Sequence, residues 1–156
     1  MEIKIRKFSD ADRNDFIKML DTCFSQDYKE PLTLAQLERW CDTLTRQAEA
    51  QIVFLDILEI DGILRGFVLY QIDSQKSDWC VKEGYGTIRE IYVAADLRKG
   101  GHGKSLALHA ENQLRQMNIP GVYLTSEEEA IGFWEKMGYQ NSGEICSENN
   151  GQIFVK

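Results

Sequence analysis

Proline is nearly absent from this 156-residue sequence, with two residues, and glycine is held to twelve. That composition excludes collagen-like repeats and proline-rich disorder. Runs of about 18 apolar residues are missing too, so no segment reads as a membrane-spanning helix. Cysteine is sparse: Cys23, Cys41, Cys80 and Cys146 are scattered, with neither a C-x-x-C pair for zinc or redox chemistry nor a dense disulfide framework. They are expected to be buried reduced thiols. Positive charge is in deficit, with 18 basic against 25 acidic side chains and a formal net charge of −7. General attraction to nucleic acid phosphates or anionic lipid is therefore not expected, and a polyanionic ligand would need a local basic site. The start, Met1 to Lys7, alternates charged with apolar residues, whereas a secretory signal would place an unbroken apolar segment after a basic one, so cytoplasmic residence is the default expectation.

What is present, 43% hydrophobic and 28% charged residues, provides for one globular domain, expected over residues 1–156. Ile3 and Ile5, with Phe8 extending the pattern, read as a first strand. Ser9 is placed to cap a following helix with Asp12 three residues on, and Phe16, Leu20 and Cys23 or Phe24 repeat at helical spacing. A second helix begins at Thr33, where Gln36 completes a capping box and Leu37, Trp40, Cys41 and Leu44 form one apolar face. From Gln51 to Asp73, two branched and aromatic runs flank Asp61-Gly62, which predicts an antiparallel hairpin. The polar stretch from about Ser74 to Gly84 reads as a surface loop, either a specificity element or a mere connection.

Thr87 to Val93 is a strand by composition. A glycine-rich turn leads from it into a helix over about His102–Met117, with Leu106, Ala110, Leu114 and Met117 on one face. Val122-Tyr123-Leu124 is a short strand. Ser126 with Glu129 is expected to cap a last helix striped by Ala130, Phe133, Trp134 and Met137 and ended by Gly138. Ile145-Cys146 and Ile153-Phe154-Val155 around Glu148 to Gly151 predict a final hairpin. The element order is β-α-α-β-β-β-α-β-α-β-β, a mixed α/β domain of the α+β kind with a mixed sheet.

The strand-to-helix junction Arg98-Lys99-Gly100-Gly101-His102-Gly103-Lys104 carries the chemistry. Its glycines let the backbone approach a ligand, and the free N–H groups of the helix start favour phosphate. Arg98, Lys99 and Lys104 supply cations on an otherwise acidic chain. A Walker A loop fails because its first glycine position holds Arg98, and a G-x-G-x-x-G fingerprint fails because its third glycine falls on Leu106. The spacing that fits is [QR]-x-x-G-x-[GA], carried by Arg98, Gly101 and Gly103 after Ile91-Tyr92-Val93.

This junction resembles the GNAT superfamily of acyl-CoA-dependent N-acetyltransferases, and the element order matches that fold over nearly the whole chain. Ala130-Ile131-Gly132-Phe133-Trp134-Glu135-Lys136-Met137-Gly138-Tyr139 is similar to the family's second motif, A-I-x-F-Y-x-K-x-G-F. The resemblance implies central splayed strands holding acetyl-CoA as cosubstrate, no metal, and direct transfer of an acetyl group to a primary amine in a ternary complex. Ile91, Tyr92 and Val93 would lie along the pantetheine arm, with an N–H polarising the thioester carbonyl. Amides from Lys99 through Gly100, Gly101, His102 and Gly103 to Lys104 would hold the pyrophosphate.

Four positions depart from the family pattern. Lys99 stands where a glycine often follows the loop arginine and His102 where an apolar residue precedes the last glycine; neither removes the backbone cradle. Trp134 and Glu127 are the other two. Trp134 stands where a tyrosine often protonates the leaving thiolate; indole cannot give up its proton at neutral pH, so a different acid or none is required. Tyr139, Tyr123 and Tyr92 are the substitutes in name, and Trp134 also lies on the apolar stripe of its helix. Glu127 replaces an asparagine that often helps bind the cofactor and is expected to turn to solvent.

Glu90, inside the central strand, is the candidate general base; its alternative is a salt bridge with Arg89 or a residue of the neighbouring strand. Simple alternation places Arg89 and Glu90 on opposite faces, and a bulge expected here leaves that parity open. His102 reads as a loop or phosphate-side residue and His109 as a solvated surface residue. The acceptor is a small-molecule or protein amine, a cationic one such as a polyamine being compatible with the acidic chain, and Tyr28, Trp79 and Tyr85 lie in segments that could line its side. No nucleic acid or membrane partner is expected, and a homodimer is a candidate assembly. The alternative from another class is a non-catalytic acyl-CoA-binding sensor or interaction module of the same fold.

Overall fold

The Asp61-Gly62 hairpin forms as expected in the computed structural model, which describes residues 1–156. Both turn residues have positive φ, 50° and 81°, as a two-residue turn of the hairpin type requires. The strands are β1 (Ile3–Lys7), β2 (Phe54–Ile60), β3 (Ile63–Ile72), β4 (Gly86–Val93), β5 (Val122–Ser126), β6 (Gln140–Ile145) and β7 (Gln152–Val155). The α-helices are α1 (Arg13–Thr22), α2 (Leu34–Glu49), α3 (His102–Arg115) and α4 (Ile131–Lys136). All seven strands form one sheet in the order β1-β2-β3-β4-β5-β7-β6. Its only parallel pair is β4 with β5. No helix is long and apolar enough to cross a membrane.

Helices cover both faces of the sheet, which is why β2 and β3 read as near-continuous apolar runs. Leu55, Ile57, Phe67 and Leu69 pack with Phe16 and Leu20 of α1 and with Leu37, Cys41 and Leu44 of α2. Leu58, Ile60, Val68 and Tyr70 point the other way, into a core with Leu106, Ala110 and Leu114 of α3 and Trp134 of α4.

Local chemistry sets the helix starts. The Thr33 hydroxyl accepts from the Gln36 N–H at 3.2 Å and the Gln36 amide oxygen accepts from the Thr33 N–H at 2.9 Å, closing the expected capping box. The Asp12 carboxylate accepts from the Ser9 N–H at 2.9 Å and twice from the Arg6 guanidinium at 2.8 Å. That pairing anchors a 3₁₀ turn, Asp10–Asp12, which leads into α1. Beyond Thr22 the chain widens into a π-helical segment, Cys23–Asp27, that periodicity did not foretell.

Several boundaries differ from expectation. Helix α3 ends at Arg115, leaving Met117 exposed. Ser126 is not a cap: it is the last residue of β5, its hydroxyl donates to the Glu127 carbonyl at 2.8 Å, and a 3₁₀ turn, Glu128–Ala130, precedes the short α4. All four cysteines are unpaired, but Cys80 is exposed in the polar loop, not buried like Cys23, Cys41 and Cys146.

Gly66 pairs with Val93 where β3 runs beside the end of β4. A Cβ built there would stand 2.5 Å from the Tyr92 carbonyl oxygen, a backbone atom that cannot step aside. Gly66→Ala should therefore destabilise the protein by about 1–3 kcal/mol, the usual cost of overpacking, read as a lowered midpoint in urea with an unchanged slope.

Candidate active site

Strands β4 and β5 pair only at Gly86 with Val122 and Thr87 with Tyr123. Past Thr87 they separate, β4 staying with β3 as far as Val93 while β5 follows β7 to Ser126. The edge of β4 facing β5 is thus left without a ladder over its last six residues, and a cavity of about 620 Å³ opens in the gap. Arg89, Glu90 and Ile91 form one wall, Thr125 to Glu128 the other, and Trp134 closes the side toward α4.

Arg98 to Lys104 lie between the end of β4 and the first turn of α3. Six consecutive amides, from Lys99 to Lys104, donate to no protein acceptor, and the helical ladder first closes at the Ser105 N–H on the Gly101 carbonyl. Such a run at the start of a 14-residue helix is a ready anion cradle. The chain makes the turn with Lys99 at φ 67° and Gly101 at φ 86°, both left-handed. Gly103 faces Phe133 of α4, whose ring would stand 3.9 Å from a Cβ at that position.

Arg98, expected among the phosphate contacts, is committed elsewhere. Its guanidinium donates to the Val93 carbonyl at 2.9 Å and to the Asp27 carboxylate at 2.6 Å, and it lies 5.5 Å from the centre of the Tyr92 ring. Asp27, brought within reach by the π-helical segment, neutralises it. Arg98 therefore latches the loop to β4 and the N-terminal helices, while Lys99 and Lys104 have no ion-pair partner and are the cations left at the cradle.

Arg89 and Glu90 owe their placement to a β-bulge. Ile88 pairs with Tyr70 and Glu90 with Leu69, so Arg89 is an extra residue in β4. The insertion resets the alternation: Ile88, Ile91 and Val93 pack toward α3, whereas Tyr92 packs toward α1. Simple alternation fails here, because Arg89 and Glu90 both line the same two cavities, the gap and a smaller one of about 220 Å³ beside Trp40 of α2. Of Ile91, Tyr92 and Val93, only Ile91 lines the gap; the Tyr92 ring stacks on Phe67, centroids 6.0 Å apart, on the opposite side.

Glu90 makes no salt bridge or side-chain hydrogen bond, to Arg89 or to any other residue. Burial, reinforced by the nearby charge of Glu127, pushes its carboxyl up to about 7. Glu127 is exposed as expected, yet it lies on the wall of the gap and is not turned wholly away.

Trp134 is 9% exposed and packs edge-on against Phe133 and Tyr139, as the apolar stripe of its helix leads one to expect, and it also lines the gap. The three tyrosines named as substitute acids are not available. Tyr92 faces away, Tyr139 is 2% exposed with an unpartnered hydroxyl inside the core, and the Tyr123 hydroxyl donates to Asp73. Tyr28, which follows the π-helical segment, is the tyrosine that lines the gap.

A buried polar network supports Arg89 from behind. Gln71, fully buried, accepts from the Arg89 guanidinium at 3.1 Å and donates to Asp73 at 2.9 Å and to the Trp79 carbonyl at 2.8 Å. Asp73 in turn accepts from the Val81 N–H at 2.7 Å and the Lys82 N–H at 3.0 Å, pinning the polar loop. No sequence pattern marked Gln71 or Asp73, although two polar residues closing an apolar strand are a usable hint. His109 also departs from expectation: it is half-buried, with its Nε2 2.7 Å from Asp56, whose carboxylate also accepts from the Tyr70 hydroxyl at 2.6 Å.

Against this geometry the comparisons are decisive for family. The sequence model described as the acetyltransferase (GNAT) family matches residues 13–139. The chain belongs to that family. GNAT structures share its fold at low identity. An N-acetyltransferase, PaiA, of Thermoplasma acidophilum, in complex with coenzyme A, has a TM-score of 0.73 at 18% identity over 100% of this chain and 99% of that one. A GNAT acetyltransferase of Staphylococcus aureus Mu50 has 0.77 at 12% identity, over 99% and 98%. Another from Brucella melitensis, in complex with acetyl-CoA, has 0.68 at 16% over 99% and 87%. No curated protein sequence matches the chain.

The raised Glu90 carboxyl has a consequence for this GNAT chain's stability. Between the ordinary glutamate value of 4.5 and about 7, the folded state keeps a proton that the unfolded state has released. Ionising Glu90 in the fold therefore costs stability as pH rises through that window. Glu90→Gln should match the parent near pH 4.5 and exceed it in melting temperature at pH 8, checked by thermal unfolding at both.

Proposed function

We propose that this protein transfers an acetyl group from acetyl-CoA to a primary amine by direct attack within a ternary complex. The observation that carries the reading is the run of six free amides from Lys99 to Lys104, in the loop that leads from the end of β4 into α3, together with the unpaired backbone edge that β4 offers beside the gap. A pyrophosphate suits the first and an extended amide-bearing arm suits the second, so the residues present fit coenzyme A. Acetyl-CoA supplies an activated acyl group on a sulfur leaving group.

Lys99 to Lys104 hold the pyrophosphate through backbone N–H groups, with the Lys99 and Lys104 ammonium groups adding charge. The edge of β4 near Ile91 and Val93 pairs with the pantetheine amides and aims an N–H at the thioester carbonyl. Donors placed where negative charge develops are commonly worth about 3 kcal/mol.

Glu90 takes one proton from the incoming ammonium group so that its nitrogen can attack, and the second proton, shed by that nitrogen after the C–N bond forms, passes to water. An alkylammonium ion with a pKa of about 10.4 is almost wholly protonated at neutral pH, and a carboxyl titrating near 7 accepts that proton far better than an ordinary glutamate. As the new C–N bond forms and the C–S bond breaks, the electron pair leaves on sulfur. A thiol of pKa about 8.5 departs readily as thiolate and takes its proton from water, so no tyrosine is needed at position 134. The Trp134 indole donates no proton and serves as an apolar wall.

Two variants test this reading. Gly103→Val should fold, because a Cβ meets only the Phe133 ring at ordinary contact distance, yet it should abolish thermal stabilisation by coenzyme A; retained stabilisation rejects the cradle. In the parent, kcat/KM for an amine acceptor should rise through an ionisation near pH 7, whereas Glu90→Gln should be about 10²-fold or more slower, partly restored at high pH, and lack that limb. A profile that keeps the limb in Glu90→Gln removes Glu90 as base. Stabilisation by coenzyme A without thiol release on any amine would favour the non-catalytic sensor instead.

A further inference from the structure

Arg89 is a half-buried guanidinium with no carboxylate within 4 Å. It uses one of its five donors, in the single bond to Gln71, and burial weakens its hold on its proton. An unpaired buried charge is expensive, and a fold that keeps one usually has a partner arriving from outside. The side chain is also aimed. Gln71 is locked by its own donations to Asp73 and the Trp79 carbonyl, so its amide oxygen can only face Arg89. Such support is what a binding group needs to meet a ligand without reorganising.

Arg89 opens onto a third cavity, of about 470 Å³, between the N-terminal helices and the polar loop. Phe24, Leu32 and Trp40 give this cavity an apolar wall, and Arg39, also without an ion-pair partner, lies at its rim. Two unmatched guanidinium groups thus share one cavity on a chain of net charge −7. Asp78, the acid on the same wall, accepts from the neutral Gln47 side chain at 2.5 Å; it and Asp73 offset the Arg89 charge at longer range but neither contacts the guanidinium. Glu90, the neighbour of Arg89, adjoins the cofactor gap. A cationic polyamine would set positive charge against Arg89 and leave it unpaired.

We propose that the acceptor is an amine bearing a carboxylate within a few bonds of its amino group, a free amino acid with an apolar side chain being the fitting class. Arg89 takes the carboxylate in the two-pronged manner of guanidinium groups, Glu90 faces the amino group, and Phe24, Leu32 and Trp40 receive the side chain. The inference rests on the acetyl-transfer reading and replaces the cationic acceptor that net charge alone favours.

The test compares leucine, methionine and phenylalanine with their carboxamides and with spermidine, by thiol release from acetyl-CoA and by thermal stabilisation of the coenzyme A complex. The amino acids should exceed their carboxamides by about 10- to 100-fold in kcat/KM, and only the amino acids should add stabilisation to the complex. Arg89→Gln should raise KM for the amino acid by a similar factor and erase the preference over the carboxamide, and Arg89→Lys should recover part of it. Stabilisation by coenzyme A alone shows whether either variant is folded. Carboxamides or spermidine used as well as the amino acids, or amino acids that neither react nor stabilise, overturn the proposal while leaving acetyl transfer standing. Amino acids that stabilise the complex without thiol release support the site and reject the transfer.

Discussion

Beyond Thr87, β4 keeps its ladder with β3 and loses β5, and this local break in hydrogen bonding is the constraint on which the site depends. Backbone amides and carbonyls inside a sheet are ordinarily satisfied, because an unpaired buried one costs about as much as a lost hydrogen bond. Here the break is stabilised from both sides: β3 holds β4 in place and β7 holds β5. The bulge at Arg89 belongs to the same solution. One inserted residue sets Glu90 on the wall of the cavity beside Trp40 of α2, and of the gap, while Ile91 and Val93 still pack toward α3, so a single strand presents both an unpaired backbone edge and a buried carboxyl.

Charge is distributed to suit this arrangement. Three basic residues flank the glycine loop in sequence, but the fold removes Arg98 by pairing it with Asp27, which leaves backbone dipoles and two lysines facing the cradle. The Arg98 latch, through Val93 and Asp27, ties the start of that loop to β4 and to the π-helical segment. Glu127 acts by repulsion. Set on the wall opposite Glu90, it adds to the larger effect of burial in raising that carboxyl above the ordinary glutamate value, without touching it.

Most of the element order was legible because each element carried its own local chemistry: the Thr33 box, the Asp61-Gly62 turn, the apolar face of α3. Family membership was legible in the loop and the 130–139 motif. What escaped was whatever depends on contacts remote in sequence. Arg98 looked like a phosphate ligand because Asp27, 71 residues away, is invisible to a loop motif. His109 looked solvated because Asp56 is on another element. The face of Glu90 could not be read by counting in twos, since the bulge is fixed by how β3 and β4 register and not by β4 alone.

The polar loop after β3 shows how a segment without periodicity can still be well ordered. Asp73 accepts from the Gln71 side chain, the Val81 and Lys82 amides and the Tyr123 hydroxyl, and its own backbone closes the loop through the Tyr85 carbonyl and the Gly84 N–H. A carboxylate with that many donors is a fixed point, and Trp79, whose indole N–H also reaches the Tyr123 hydroxyl at 3.0 Å, is held by it. Asp78, on the wall of the cavity of about 470 Å³, and Trp79, on the wall of the one of about 220 Å³, are thus both held by hydrogen bonds within the protein. Gln71 joins this fixed point to Arg89, so one chain of hydrogen bonds links the loop to the bulge, whose Arg89 lines both the cavity of about 470 Å³ and the gap between β4 and β5.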